Sequence, residues 1–201
     1  MCKSCDLIGG CFSLPRTHSG GEDGRGGRAR DFQGEVNPLL LVSIMKFWKK
    51  AVLCILLIEV VGNGSGLISF ISIKDWYAML ERPPGTPPNG VFGPIWTILF
   101  AMMGYALAVV LSADPGKERK QALRWFSIQF LFNLAWTPVF FGLHRIDAAL
   151  VIIALLLVAV VVVVGKFLRV SRLAGWLLVP YLLWVGYASY LNAGFWWLNR
   201  F

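Results

Sequence analysis

The feature that most constrains this chain is the run 148–165, which contains only Ala, Val, Ile, Leu and Gly. A helix that is apolar on every side cannot lie on the surface of a soluble protein, because such a helix needs a polar face. A bilayer is crossed by about 20 apolar residues, so a run of this kind is typical of a membrane span. The sequence predicts five such spans, at about 51–73, 94–113, 122–143, 148–168 and 173–198.

The secondary structure of these spans follows from the lipid that surrounds them. Lipid offers no partner to backbone N–H and C=O groups, so a spanning segment must be a helix or belong to a closed barrel. Barrel strands would alternate in polarity and be about half this length. We therefore expect an all-α integral membrane protein, a bundle of five transmembrane helices. The 57% of apolar and 15% of charged residues also exclude a disordered chain.

The net charge of +8 does not indicate nucleic-acid binding, because the basic residues lie in short clusters between the apolar runs. The segment before the first span and the loops 114–124 and 166–172 carry ten Lys and Arg after residue 45, whereas the other side carries four. Basic loops stay inside. This distribution predicts that the N-terminus is inside and the C-terminus outside.

Residues 1–45 differ from the rest. They have balanced charge, the Gly-rich stretch 19–30 and no helical period, so we expect a disordered or dispensable extension before a membrane domain at 46–201. A targeting role and a start at Met45 both remain open. No metal site is expected, because the spacing of Cys2, Cys5, Cys11 and His18 fits no usual zinc pattern.

Three helical faces carry the candidate binding residues. The third span places two amides and two aromatic rings at i, i+4, i+7 and i+11: Gln129, Asn133, Trp136 and Phe140. This face is either a contact that joins helices through amide hydrogen bonds or the wall of a pocket. The second and fifth spans each carry an aromatic face, which is either core or pocket, with Trp96 and Phe100 on the second and Tyr181, Trp184 and Ala188 on the fifth.

Two isolated features of the first span and its loop are also candidates. Glu59 is a carboxylate within a span, which is either a functional group or a protonated group facing a polar cleft. The loop that follows holds Pro83, Pro84, Pro87 and Pro88, which restrict the backbone and predict a stiff, extended cover over the bundle.

Three stretches together resemble the TspO/MBR family of tryptophan-rich sensory proteins and translocator proteins. They are WYAMLERPPGTPPNGVFGPIWTILFAMMGYAL at 76–107, QFLFNLAWTPVFFG at 129–142 and PYLLWVGYASYLNAGFWWLN at 180–199. The resemblance implies a five-helix bundle that forms a homodimer and binds porphyrins such as protoporphyrin IX, benzodiazepine-type compounds and, in animals, cholesterol. It implies a pocket under the loop after the first helix, with pocket residues at Trp96, Phe100, Asn133, Trp136, Trp184 and Ala188.

The resemblance also marks where this chain differs. Animal members carry a cholesterol motif at the end of the fifth helix, a Tyr followed by a basic residue; here Tyr190 is followed by a basic residue only at Arg200. The difference argues against cholesterol transport. It favours a bacterial inner membrane, with the mitochondrial outer membrane as the alternative.

Three functions are compatible with these residues. The first is a membrane receptor or sensor in which indoles stack on a porphyrin and Arg82 pairs with a propionate. The second is an enzyme that degrades porphyrin in light, since Trp96 and Trp184 match two tryptophans linked to that reaction in bacterial members. The third is a small-molecule transporter with Glu59 as its proton or substrate site, although no inverted repeat or pair of broken helices in the sequence supports it. The expected partners are the porphyrin, the bilayer and a second copy of the chain, with no required cofactor and no nucleic acid.

Overall fold

A computed structural model describes residues 38–72 and 75–200, without the side chains of residues 38–41, 67, 68, 70 and 71. The described part is all-helical, as predicted. Its helices are α1 (Pro38–Ser72), α2 (Asn89–Ser112), α3 (Lys117–Thr137), α4 (Ile146–Val170), α5 (Arg172–Leu177) and α6 (Val179–Leu198). Within the described residues, the segments Asn89–Ser112, Ile146–Val170 and Arg172–Leu198 are long and apolar enough to cross a membrane.

The N-terminal boundary differs from the expected one. Helix α1 begins at Pro38, so the expected division between residues 45 and 46 falls inside a helix, and residues 38–45 continue it. The expectation of disorder in residues 1–37 lies outside the described residues.

Two prolines interrupt the predicted spans. The fifth span is broken at Leu178, between α5 and α6, because Pro180 has no N–H to give to the carbonyl one turn earlier. The third span ends in a π-helical turn, Pro138–Gly142, which begins at its proline. A π-helical turn is wider than an α-helical one, and such turns are frequent at functional sites.

Close backbone contact holds α1 against α2 in the half of α2 farther from loop 75–88. A Cβ atom added at Gly104 of α2 would lie 2.5 Å from the Cα of Ile55 of α1, so only glycine permits this approach. Helix α4 packs against α3, α5 and α6. Its buried face recurs with a helical period, at Ala149, Ile153, Leu156, Val160, Val163 and Phe167.

Loop 75–88 lies against α6. Asn199, just after α6, accepts a hydrogen bond from the Glu81 amide at 2.9 Å and donates to the Glu81 carbonyl at 3.1 Å. The Tyr190 hydroxyl donates to the Pro84 carbonyl at 3.1 Å. Gly194 lets the loop come close, because a Cβ there would lie 2.5 Å from the Cβ of Pro83. The proline-rich segment is therefore held at several points along one helix, which places it at one end of the bundle. That end is called the loop end below.

Candidate ligand cavity

A cavity of about 480 Å³ lies inside the loop end of the bundle. Its walls come from the last turns of α1, the first turns of α2, the end of α3, the middle of α4 and most of α6, and Tyr77 of the loop closes over it. Pockets of roughly 300–1,000 Å³ with apolar and aromatic walls are typical of small-molecule sites. Spans that are separate in the sequence thus surround one cavity.

Most of the residues selected from the sequence lie on the wall of this cavity. Those that line it are Trp96, Phe100, Asn133, Trp136, Phe140, Trp184 and Ala188. Three helices contribute an indole each, and the Trp136 ring lies 5.2 Å from that of Phe140 at an interplanar angle of 27°. The structure therefore brings together the aromatic faces of α2, α3 and α6.

Gln129 and Tyr181 do not line the cavity. The buried Tyr181 hydroxyl donates a hydrogen bond to Gln129 Oε1 at 2.9 Å and accepts one from Asn133 Nδ2 at 3.1 Å. Tyr181 and Gln129 are each only 1% exposed. They lie behind the wall, where their contacts fix the orientation of the Asn133 amide that does line it. The sequence left two interpretations of this face open, a contact between helices and a pocket wall, and both apply: Gln129 joins helices, and Asn133 belongs to the cavity.

Asn192 is a cavity residue that the sequence analysis did not select. Its Oδ1 accepts a hydrogen bond from Trp136 Nε1 at 2.9 Å, and its Nδ2 donates to the Ile146 carbonyl at 3.1 Å. It therefore fixes the indole of α3 from α6. A signal was present, because Trp184, Ala188 and Asn192 follow one another at intervals of four residues on one helical face.

Arg82 lies outside the cavity, over a residue that closes it. The exposed guanidinium is 5.4 Å from the centroid of the Tyr77 ring, within the range of a cation–π contact. Burial raises the pKa of Tyr77, and the nearby Arg82 charge opposes that change. The Tyr77 hydroxyl is thus neutral at ordinary pH, and the only charge in this pair belongs to Arg82.

Two polar atoms at the cavity have no hydrogen-bond partner. Trp184 Nε1 and Asn89 Oδ1 are both buried and unpaired, and both residues line the cavity. Buried polar atoms in native proteins nearly always have a partner, and an unpaired one costs about 1–3 kcal/mol. A donor and an acceptor are therefore available to a bound molecule.

Glu59 does not line the cavity. Its carboxylate accepts a hydrogen bond of 2.5 Å from Asn63, one turn later on α1. Asn63 itself does line the cavity. The carboxylate is thus paired within its own helix.

Comparison with known proteins agrees with this architecture. A family model described as the TspO/MBR family matches residues 54–198, which include every cavity-lining residue. Tryptophan-rich protein TspO of Chlorobaculum tepidum is 44% identical over 141 residues, 70% of this chain and 89% of that protein. Protein CrtK of Rhodobacter capsulatus is 35% identical over 62% of this chain and 78% of its own length. The human Translocator protein is 37% identical over 60% of this chain and 73% of its own length. The chain is an integral membrane protein that belongs to the TspO/MBR family.

Proposed function

We propose that this protein is a membrane receptor or sensor that binds porphyrins, such as protoporphyrin IX, and related hydrophobic ligands in the cavity at the loop end. The observation that carries the proposal is a cavity of about 480 Å³ whose lining includes one indole from each of three helices. A porphyrin is flat, apolar and aromatic, so it gains both from burial and from stacking on such walls.

The polar groups suit the edge of such a ligand. The unpaired Trp184 Nε1 can donate to a carboxylate or carbonyl, and the unpaired Asn89 Oδ1 can accept from an N–H or O–H. Arg82, above Tyr77, supplies a positive charge for a propionate that extends past the loop. The aromatic walls would thus contact the macrocycle, and these three residues would bind the polar groups at its edge.

The membrane and the assembly are part of the same proposal. We place the protein in a bacterial inner membrane with its N-terminus inside, on the distribution of Lys and Arg and on the absence of the animal cholesterol pattern near Tyr190. A homodimer is expected from the family resemblance. The mitochondrial outer membrane remains the alternative location.

Titration of the purified protein with protoporphyrin IX, followed by quenching of tryptophan fluorescence, tests the binding. Trp96→Ala and Trp184→Ala each remove a stacking wall worth about 0.5–1.5 kcal/mol together with its burial. We expect each to weaken binding by about tenfold or more, where 1.4 kcal/mol corresponds to tenfold. Trp48→Ala and Trp125→Ala are the matched controls, since neither residue lines the cavity. Equal affinities in all four variants would contradict the proposal.

The enzymatic alternative has one observation in its favour: Trp96 and Trp184 line the same cavity from different helices. Both indoles can then contact one bound porphyrin. Illumination of the complex in air separates the two functions. If the protein is a receptor, the absorbance of bound porphyrin decreases at the same rate as that of free porphyrin. If it is an enzyme, the absorbance decreases faster, and Trp96→Phe or Trp184→Phe abolishes the acceleration.

A further inference from the structure

The cavity has an open side. Among the described lining residues, those that are exposed all belong to α1 or α2: Asn63, Gly90, Gly93, Pro94 and Thr97. The lining residues of α3, α4 and α6 and of the loop are buried or half-buried. The opening therefore faces sideways between α1 and α2, rather than along the bundle axis. It is called the side opening below.

Small residues keep the side opening free. Near the middle of the two helices, a Cβ at Gly62 would lie 2.6 Å from the ring of Phe100, which fills the space between them. Closer to the loop end, a Cβ at Gly66 or Gly90 would meet nothing within 4 Å. Among the described side chains, the seam is thus closed by the backbone contact at Gly104, filled by the Phe100 ring nearer the loop end and unobstructed at Gly66 and Gly90.

The surface around the side opening is apolar. On α1, Val60 is 71% exposed, and on α2, Ile98 is 61% exposed. Val61 and Val91 are also exposed. Exposed apolar side chains on two membrane helices are typical of a surface in contact with lipid tails. The opening is therefore bordered by the kind of surface that faces hydrocarbon rather than water.

Polar side chains at the opening are paired within their own helices. The Thr97 hydroxyl donates to the Gly93 carbonyl at 3.1 Å, and the Ser65 hydroxyl donates to the Gly62 carbonyl at 2.7 Å. Asn63 donates to Glu59. Each of these side chains thus has a hydrogen-bond partner in its own helix, which lowers the cost of placing it at a lipid-facing position. Two of the unpaired polar atoms among the described residues, Trp184 Nε1 and Asn89 Oδ1, are buried at the cavity instead.

We propose that ligands enter and leave the cavity from the bilayer, through the side opening between α1 and α2. The inference rests on the proposed function insofar as the cavity is a ligand site. The bilayer route narrows the ligand class to amphiphilic molecules that partition into a bilayer through an apolar body and carry a hydrogen-bonding group for the inner wall. The route also leaves loop 75–88 in place on α6 during entry.

Bulky residues at the side opening test the route. Gly66→Phe on α1 and Gly90→Phe on α2 place a ring at the opening, and Gly64→Phe is the matched control. Gly64 is exposed on α1, has open space around a Cβ and does not line the cavity. Association and dissociation of protoporphyrin IX are measured by stopped-flow tryptophan quenching in lipid nanodiscs. We expect the association rate constant to fall by about tenfold in each opening variant relative to Gly64→Phe, because a ring at the opening obstructs the route by which the ligand arrives.

Spin labels test the lipid environment without any ligand. With the native cysteines replaced, labels at Asn63→Cys and Thr97→Cys should collide often with dissolved oxygen and rarely with a water-soluble nickel chelate. A label at Glu81→Cys, in the exposed loop, should give the opposite result. Water-like accessibility at positions 63 and 97 would overturn the bilayer route.

The outcomes separate the two proposals. If association in Gly66→Phe and Gly90→Phe equals that of Gly64→Phe, ligands enter elsewhere and the inference is wrong while the binding function stands. If the unmodified protein does not bind protoporphyrin IX, the proposed function fails, and the spin labels still decide whether the side opening faces lipid.

Discussion

Trp136 Nε1 donates a hydrogen bond of 2.9 Å to Oδ1 of Asn192, joining the end of α3 to α6 across the cavity wall. Asn192 is 1% exposed, and its amide also holds the Ile146 carbonyl at the start of α4. One buried amide thus connects three helices and fixes the orientation of an indole that faces the ligand space.

The first prediction concerns this amide. Asn192→Leu approximately keeps the volume of the side chain and removes both of its hydrogen bonds, so the Trp136 indole is free to turn. A typical hydrogen bond contributes about 1 kcal/mol, so we expect protoporphyrin IX affinity to fall by about five- to tenfold. Ser189→Ala on the same helix is the control, since its hydroxyl bonds only to the Val185 carbonyl. Unchanged affinity in Asn192→Leu would mean that the indole orientation does not matter for binding.

The second prediction concerns the hydroxyl behind the wall. Tyr181→Phe removes the group that joins Gln129 to Asn133 and leaves their buried amides without that partner. Each unpaired buried group costs about 1–3 kcal/mol, so thermal unfolding in detergent should occur at lower temperature and porphyrin affinity should fall.

Tyr105→Phe is the matched control for this change, because Tyr105 packs against Phe47 and Trp48 in a separate cluster. If both tyrosine variants unfold at the same temperature, the hydrogen bonds of Tyr181 do not stabilise the bundle.

The third prediction concerns the contact between loop 75–88 and α6. A Cβ at Gly194 would lie 2.5 Å from Pro83, and a rigid ring cannot yield. Overpacking of this kind costs about 1–3 kcal/mol, so Gly194→Ala should move the loop away from α6. The Glu81 amide, which donates to Asn199, should then exchange its hydrogen faster. Gly186→Ala, where a Cβ has open space, is the control. Equal exchange in the two variants would exclude this contact as the anchor.

The fourth prediction concerns orientation. Lys50 bonds to Ser112, and Lys166 to Gln121, at the end of the bundle opposite the loop, where the basic clusters predict the inside. In a background without native cysteines, Glu81→Cys should react with an impermeant thiol reagent in intact cells, and Asp114→Cys only after the membrane is opened. Both positions are exposed, so access to the side chain does not decide the result. The reverse labelling pattern would place the N-terminus outside.

Several features could be predicted from the sequence because they depend on local periodicity. The all-helical bundle follows from apolar runs such as 148–165, which have no satisfactory alternative in lipid. The aromatic faces follow from i, i+4 and i+7 spacing, which places Trp136 and Phe140 on one side of a helix whatever surrounds it. The interruption at Pro180 follows from its missing N–H.

The tertiary structure decided which of those residues contact a ligand. Gln129 and Asn133 are equivalent by spacing, yet only Asn133 lines the cavity, whereas Gln129 is buried against another helix and accepts a hydrogen bond from the Tyr181 hydroxyl. The partner of Trp136 and the side opening at Gly66 and Gly90 are likewise relations between helices. Helical periodicity determines the face on which a residue lies, but the partner of that face depends on how the helices pack, and packing joins residues distant in sequence.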